Sequence, residues 1–232
     1  MTVQNSEALD RLRLSRSPVA VAFVATPPPG LARIERAAAA GCCYWKHASE
    51  GHAFYTTAED HLNCPVGAFT HGAPLPPETS TELEGLVGTM IELQYLRGDE
   101  VPAIPHRTTP LQFAAYAPLQ DAAFAPDVVI FRGNTRQIML LSEAARAAGV
   151  FDQGTAMGRP ACSVIPHSLE SGASVASIGC IGNRVYTGLG DDELYLAVPG
   201  AALDDTLARL DTIVDANVEL EKFHRARAAS LA

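Results

Sequence analysis

The stretch APDVVIFRGNTRQIMLLSEAARAAG, residues 125–149, predicts the fold class of the chain. Its first part, APDVVIFRG, contains an apolar and mostly β-branched run that is typical of a buried strand. Its second part predicts a helix, because Asn134 or Thr135 is a suitable N-cap and Gly149 a suitable end. VAVAFVA, residues 19–25, predicts a second buried strand. Alternation of strands and helices favours an α/β fold with these two strands central and the helices outside.

Weaker patterns predict the remaining elements. Residues 31–51 predict one or two helices broken at Gly41, and residues 73–88 a surface connection that ends in a short helix. Residues 111–119 and 192–200 predict strands, and residues 151–160 a loop. A broad apolar face predicts a C-terminal helix over roughly 204–228 that packs on the domain or pairs across a homodimer.

The chain also predicts two similar halves, roughly residues 17–105 and 125–200. Each half runs from a strand through a cysteine, a loop and a second cysteine near glycine to an acidic strand that ends in proline. That last strand is expected at GDEVPAIP, residues 98–105, and at GDDELYLAVPG, residues 190–200. We therefore expect one α/β domain over residues 1–232, with a mixed sheet and an internal duplication. Chance similarity of segments rich in small residues is the alternative.

Two segments concentrate the cysteines; in each, a histidine follows the first cysteine after five residues, a glutamate follows three residues later, and a glycine follows the second cysteine. Residues 41–72 hold three of the five cysteines and four of the seven histidines, and residues 161–184 hold the other two cysteines. We expect the two segments to meet in space and to build one site. The matched positions are Cys42, His47, Glu50, Cys64 and Gly67 in the first, and Cys162, His167, Glu170, Cys180 and Gly182 in the second.

Four thiolates from two loops suit an iron–sulfur cluster, or a zinc ion as the alternative. The spacing favours Cys42 over its neighbour Cys43 as a ligand, but leaves Cys43 open. Histidines at matched positions predict proton transfer or support of the ligands, and Arg184 a clamp for a carboxylate or phosphate. Turns at Gly67, Gly179 and Gly182 expose N–H groups to a cofactor. The competing interpretation is that the cysteines are buried small hydrophobic residues.

Composition excludes several classes of protein. The net charge of −9 argues against nucleic-acid binding, and no apolar run reaches the ~18–20 residues that span a bilayer. The first 18 residues carry charge and no apolar core, so we expect no secretory signal and a cytoplasmic location. In that compartment five cysteines predict metal ligands, packed thiols or reactive thiols more than disulfides.

The leading hypothesis is an iron–sulfur or other metal protein that performs redox or Lewis-acid chemistry on a small molecule, with an electron-transfer partner if the chemistry is redox. The alternative is a non-catalytic module for a small ligand, built on zinc or packed thiols. A thiol-based redox enzyme is the third. The sequence leaves open whether the chain is an enzyme.

Several of these segments together resemble the domain-of-unknown-function 169 family, from about Pro18 to Pro199. They are PVAVAF, GHAFY, NCPVGA, PDVVIF, SIGCIGNR and DDELYLAVPG, of which the turns at Cys64 and Cys180 are the most specific. The resemblance implies a prokaryotic cytosolic protein with recurrent cysteines at Cys42 or Cys43, Cys64, Cys162 and Cys180. It implies no activity and no particular ligand.

Overall fold

The structure, a computed structural model, describes residues 3–156 and 160–230. In these residues eight strands form one mixed sheet in the order β2-β3-β4-β1-β5-β8-β7-β6. The strands are β1 (Val19–Val24), β2 (Ala32–Arg33), β3 (Phe54–Thr57), β4 (Phe113–Pro118), β5 (Val128–Asn134), β6 (Phe151–Ala156), β7 (Ser174–Ser177) and β8 (Glu193–Pro199). The α/β class and the mixed sheet are confirmed.

The two strands predicted to be central lie side by side in the middle of the sheet. β1 and β5 pair antiparallel, with Val19 opposite Ile130 and Ala20 opposite Val129. All four of these residues are at most 3% exposed. Successive side chains alternate between the two faces of a strand, so each strand contributes to two separate layers of core.

Helices cover both faces of the sheet. On one face, α1 (Val3–Leu12), α5 (Thr135–Ala147) and α8 (Leu203–Ala229) pack on Val129 and Phe131. On the other face, α2 (Cys42–Ser49), α3 (Pro65–Thr70) and α6 (Val164–Ser171) pack on Val128 and Ile130. The remaining helices are α4 (Pro77–Glu92) and α7 (Ile181–Thr187), of which α7 contacts α2. No helix in the described ranges is both long enough and apolar enough to cross a membrane.

The two sides of the sheet repeat the same pairings outward from its centre. β1 pairs antiparallel with β4, β4 antiparallel with β3, and β3 parallel with β2. In the same way β5 pairs with β8, β8 with β7, and β7 with β6. This order agrees with two similar halves, whereas their origin by duplication stays a prediction. The last strand of the first half is β4, however, because residues 98–103 form a 3₁₀ helix.

Other local predictions were wrong in part, because pairing in the sheet outweighed local pattern. Residues 31–41 contain no helix: Ala32–Arg33 pairs with β3, and the Ile34 N–H donates to the Tyr55 carbonyl over 2.9 Å. A helix starts only at Cys42, after Gly41. Residues 151–156, predicted as loop, form the outermost strand β6, and the rest of that prediction partly lies outside the described residues.

The N-cap of α5 is Asn134, one of the two candidates predicted from sequence. The Asn134 side chain accepts from the Gln137 N–H over 2.9 Å, and the Gln137 side chain accepts from the Asn134 N–H over 2.8 Å. We expect Asn134→Ala to lower the free energy of unfolding by about 1 kcal/mol, since an N–H loses its partner. Chemical denaturation measures this change. Asn134→Asp is the control and should stay close to wild type; equal losses in both variants would contradict the capping role.

Candidate functional site

A cavity of about 520 Å³ lies on the face of the sheet that α2, α3 and α6 cover. Its wall includes four of the five cysteines: Cys42, Cys64, Cys162 and Cys180. These residues come from four distant points of the chain, two in each half. The structure thus brings together the two segments that the sequence predicted to meet.

Each cysteine lies at or next to the start of a helix. Cys64 is the N-cap residue of α3, and its sulfur accepts from the Gly67 N–H over 3.4 Å. Cys180 is the N-cap residue of α7. Cys42 is the first residue of α2, and Cys162 lies in the 3₁₀ helix Ala161–Ser163 that leads into α6. Each half therefore supplies one cysteine at a helix N-cap, Cys64 or Cys180. It supplies a second one, Cys42 or Cys162, at or just before the first residue of another helix.

The two adjacent cysteines, Cys42 and Cys43, differ in their position relative to the cavity. Cys42 lines it, whereas Cys43 is not part of its described wall. The two adjacent thiols interact: a hydrogen bond with Cys43, together with burial, raises the pKa of Cys42, and the same bond lowers the pKa of Cys43.

Burial favours the protonated form of two of the pocket thiols, Cys64 and Cys162. It raises the pKa of Cys64, and it raises the pKa of Cys162 to about 12. The Thr70 hydroxyl lies 3.2 Å from the Cys162 sulfur, and this hydrogen bond opposes part of the rise in the pKa of Cys162. Among the described residues of the cavity wall, Glu84 is the only charged one. The surroundings therefore favour the neutral thiols of Cys64 and Cys162 as long as no ligand binds their sulfurs.

Helix α4 forms the outer wall of the cavity, and sequence reasoning missed this role. It was expected as a surface connection, and indeed none of its residues is buried. Its apolar side chains nevertheless face the cavity, and Leu86 is still 41% exposed. In the first half α4 lies between α3 and β4, whereas in the second half only a short turn lies between α7 and β8. The cavity is therefore covered by such a helix on one side only. The lining residues of α4 are Leu83, Glu84, Leu86, Val87 and Met90.

Asn183 is a further residue of the wall that sequence reasoning missed. It follows Cys180 by three residues and is 2% exposed. Its amide lies beside the Cys42 sulfur and the Tyr195 hydroxyl, but neither its nitrogen nor its oxygen has a partner within standard hydrogen-bond geometry. Asparagine is mostly exposed in proteins, so only its place between a site cysteine and Arg184 pointed to it.

Two fully buried histidines lie behind the cavity. The ring centroids of His61 and His71 are 5.3 Å apart, and neither residue is exposed. His71 Nδ1 lies 2.8 Å from the Gly67 carbonyl, which can only accept, so Nδ1 carries the hydrogen. Burial lowers the pKa of His61 well below its usual value and that of His71 to about 4. Both rings are therefore neutral at pH 7.

Acid should destabilise the fold through His71. In the unfolded chain this histidine binds a proton near pH 6.5, whereas in the folded chain it does so near pH 4. Its contribution to the free energy of unfolding is thus intact above pH 6.5 and falls by about 1 kcal/mol per pH unit as the pH drops towards 4. Urea unfolding at several pH values measures the slope. His71→Asn, whose amide can still donate to Gly67, should show a shallower slope; identical slopes would contradict this role.

The residues predicted to be catalytic lie outside the cavity wall. Histidines 47 and 167 sit on α2 and α6, and neither is among the described lining residues. Burial lowers the pKa of His47. The Arg184 guanidinium donates to the carbonyls of Ile178 and Gly190 over 2.7 and 2.9 Å. Arg184 therefore stabilises the loop that surrounds it. Its observed contacts are to carbonyl groups of the chain and not to the cavity.

Two of the three glycines predicted to bind a cofactor line the cavity, and the third is not part of its described wall. Gly67 and Gly182 line the cavity, and Gly67 supplies the N–H that points to Cys64. Gly179 has φ +77 and precedes Cys180 in a tight turn, where an added Cβ would lie 2.6 Å from the Leu189 side chain. It shapes the backbone before the cysteine but is not part of the described wall.

Within residues 3–156 and 160–230, no group of three or more His, Cys, Asp or Glu side chains is placed to hold a metal ion. The four thiols therefore line a common cavity without converging as the ligands of one ion. Their donor type suits a larger thiolate-bound group, because such a group spaces its ligands more widely than a single ion does.

By sequence, the chain matches a family whose description assigns no activity. The sequence model of the family DUF169, described as "Uncharacterised ArCR", matches residues 9–209. The chain is 26% identical over 163 residues to the uncharacterized protein MJ0308 of Methanocaldococcus jannaschii, an alignment that covers 68% of this chain and 69% of the relative. No solved structure matches the chain.

Proposed function

The chain belongs to the DUF169 family, and because that family's description assigns no activity, we propose a function from the pocket itself: the chain is an iron–sulfur protein. Cys42, Cys64, Cys162 and Cys180 would hold the cluster. The observation that carries the proposal is the arrival of these four thiols, from two similar segments, at one cavity.

The chemistry of the pocket supports a cluster more than a single zinc ion. Thiolates are preferred ligands of both, but four sulfurs around one zinc lie only about 3.8 Å apart, as follows from a Zn–S distance of about 2.3 Å. No group of described side chains is placed to hold one ion. A cluster tolerates wider spacing. The apolar wall and the Gly67 N–H directed at Cys64 are features that tune clusters in proteins.

The chain's own residues determine how the group would be taken up. Burial keeps Cys64 and Cys162 protonated at neutral pH, so loading must release protons and should be favoured by higher pH. A bound cluster would supply electron transfer, or a Lewis-acidic iron if only three cysteines bind. Histidines 47 and 167 lie outside the wall, so we assign them no proton transfer on a pocket ligand.

Anaerobic purification followed by metal and sulfide analysis tests the proposal. We expect iron and acid-labile sulfide in comparable amounts, together with visible absorption that bleaches on reduction. Colourless protein without iron after anaerobic reconstitution would overturn the proposal, and stoichiometric zinc would favour the structural alternative.

A second candidate is a non-catalytic module that binds a small ligand. The observation in its favour is the wall of α4, whose apolar side chains face a cavity of about 520 Å³, a volume typical of small-molecule sites. The same elemental analysis separates the two candidates, because only the first requires iron.

Further parts of the proposal concern surroundings and partners. A cluster with redox chemistry needs an electron donor or acceptor. Ile181 and Val185 on α7, beside Cys180, are 69% and 72% exposed and offer an apolar surface for such a partner.

Leu220 and Phe223 on α8 are exposed by 55% and 58%, which favours a homodimer through that helix. All five cysteines are free, as a reducing cytoplasm would keep them.

A further inference from the structure

We propose that a second copy of the chain covers the mouth of the cavity, and that the end of α8 from each copy docks into the groove between α4 and α7 of the other. The inference goes beyond the proposed function, because it rests on the surface around the pocket and holds with or without a cluster. It assigns the exposed apolar surface of α7 to the second copy, so an electron-transfer partner would compete with the dimer for that surface.

The exposed apolar side chains of the molecule are concentrated in two places. Of the twelve large apolar side chains that the described residues expose, eight lie in residues 86–95 or 178–186, and three lie in residues 218–223 of α8. The first group surrounds the cavity, whose wall includes Leu86 and Ile181. Apolar patches of this kind mark interaction sites on protein surfaces. The molecule therefore has two candidate contact surfaces, an open groove and a helix end.

The end of α8 extends away from the body of the protein. Within the described residues, its last ion pair with another element joins Arg136 of α5 to Glu221 over 2.8 Å. Residues 222–230 are all exposed, and Phe223 is 58% exposed. At 1.5 Å per residue, residues 222–229 form about 12 Å of projecting helix. A helix with an apolar side chain at its surface is a typical occupant of an apolar groove.

Charge determines which of the two surfaces meet. Helix α4 carries four glutamates and no cation, and Asp191 and Asp192 follow α7. The end of α8 has the opposite charge, because residues 222–230 contain three lysine or arginine side chains and no acidic one. Two grooves that face each other would bring carboxylates together, and two helix ends would bring cations together. Contact between a helix end and a groove brings opposite charges together instead.

Reciprocal docking limits the assembly to two copies. A contact between two different surfaces produces an open chain of copies unless a rotation closes it, whereas a two-fold arrangement uses both surfaces of both copies. Each groove would then receive the partner's Phe223, an aromatic side chain of the kind that buries roughly 150–250 Å². The wall of each cavity beside α4 would thereby be completed by the other copy.

Sedimentation equilibrium of the full chain and of three single variants tests the inference. We expect the wild type to sediment as a dimer, at twice the 24.5 kDa of one chain. Phe223→Glu and Ile181→Glu should each weaken the dimer at least about a hundredfold, because the new carboxylate loses its water in the contact. Met139→Glu is the matched control. Met139 is 43% exposed on α5, outside both groups of side chains, so this variant should remain dimeric.

Mixing the two weakened variants tests the reciprocal arrangement. Phe223→Glu retains an intact groove and Ile181→Glu an intact helix end, so an equimolar mixture should form a dimer that neither variant forms alone. Pairing of α8 with α8 would instead leave Ile181→Glu dimeric, and pairing of groove with groove would leave Phe223→Glu dimeric. Either of these results, a mixture that stays monomeric, or a monomeric wild type would overturn the inference.

Folding and iron content are measured on the same samples. Both substituted side chains are exposed, so the variants should fold; if circular dichroism shows otherwise, Leu220→Glu and Val185→Glu take their place. Iron analysis separates this inference from the proposed function. A dimer with the expected pattern but without iron after reconstitution leaves the inference standing and removes the cluster, and iron in monomeric protein does the reverse.

Discussion

Cys64→Ser should reduce the iron and sulfide content of anaerobically reconstituted protein to less than about a tenth of the wild-type value. A serine hydroxyl stays protonated at neutral pH and is a poor ligand for iron, whereas a thiolate is a strong one. Serine is at the same time a preferred N-cap residue, so it can replace the Cys64 sulfur as acceptor for the Gly67 N–H and preserve α3. The loss of iron should therefore occur in folded protein.

Cys43→Ser is the matched control. It makes the same chemical change one residue away from Cys42, at a cysteine that is not part of the described cavity wall. We expect it to retain most of the iron. Wild-type iron content in Cys64→Ser would remove Cys64 from the ligand set, and equal loss of iron in both variants would mean that the serine change acts through folding. Circular dichroism and thermal unfolding of both proteins distinguish that last case.

Much of the fold was predictable because its central elements carry strong local patterns. The runs 19–25 and 125–133 are apolar and β-branched, and they became the adjacent central strands β1 and β5. The outer strands carry no such pattern. β6 contains Asp152, Gln153 and Gly154, and its sequence was taken for a loop. It is an edge strand with a neighbouring strand on one side only, and such strands tolerate polar residues.

The candidate site was predictable in its cysteines but not in its wall. Spacing to a histidine and a glutamate related Cys42 to Cys162, a following glycine related Cys64 to Cys180, and the structure places all four around one cavity. Asn183 and α4 carry no comparable signal. An asparagine becomes informative only once its burial is known, and a helix with no buried residue resembles a surface connection until its apolar side is seen to face a cavity.

The close approach of two backbone segments at the end of the central sheet is another feature that sequence does not reveal. Gly200 follows β8, and its N–H donates to the Asp127 carbonyl over 2.7 Å. A Cβ at position 200 would lie 1.7 Å from the Pro126 carbonyl oxygen and 2.6 Å from its carbon. The matching position on the other side of the sheet, after Pro118, holds Leu119, so a side chain is tolerated there.

Gly200→Ala should therefore lower the free energy of unfolding by about 3 kcal/mol, the upper end of the usual range for overpacking, because the overlapping atoms are backbone and cannot rotate away. Gly85→Ala is the opposite case: Gly85 lies within α4, and an added Cβ would meet nothing within 4 Å. Alanine should stabilise that helix by about 0.5–1 kcal/mol. Denaturant unfolding followed by circular dichroism should thus shift in opposite directions for two identical chemical changes. A Gly200→Ala midpoint at the wild-type value would mean that β8 and residues 126–127 lie further apart than the register of β5 and β8 requires.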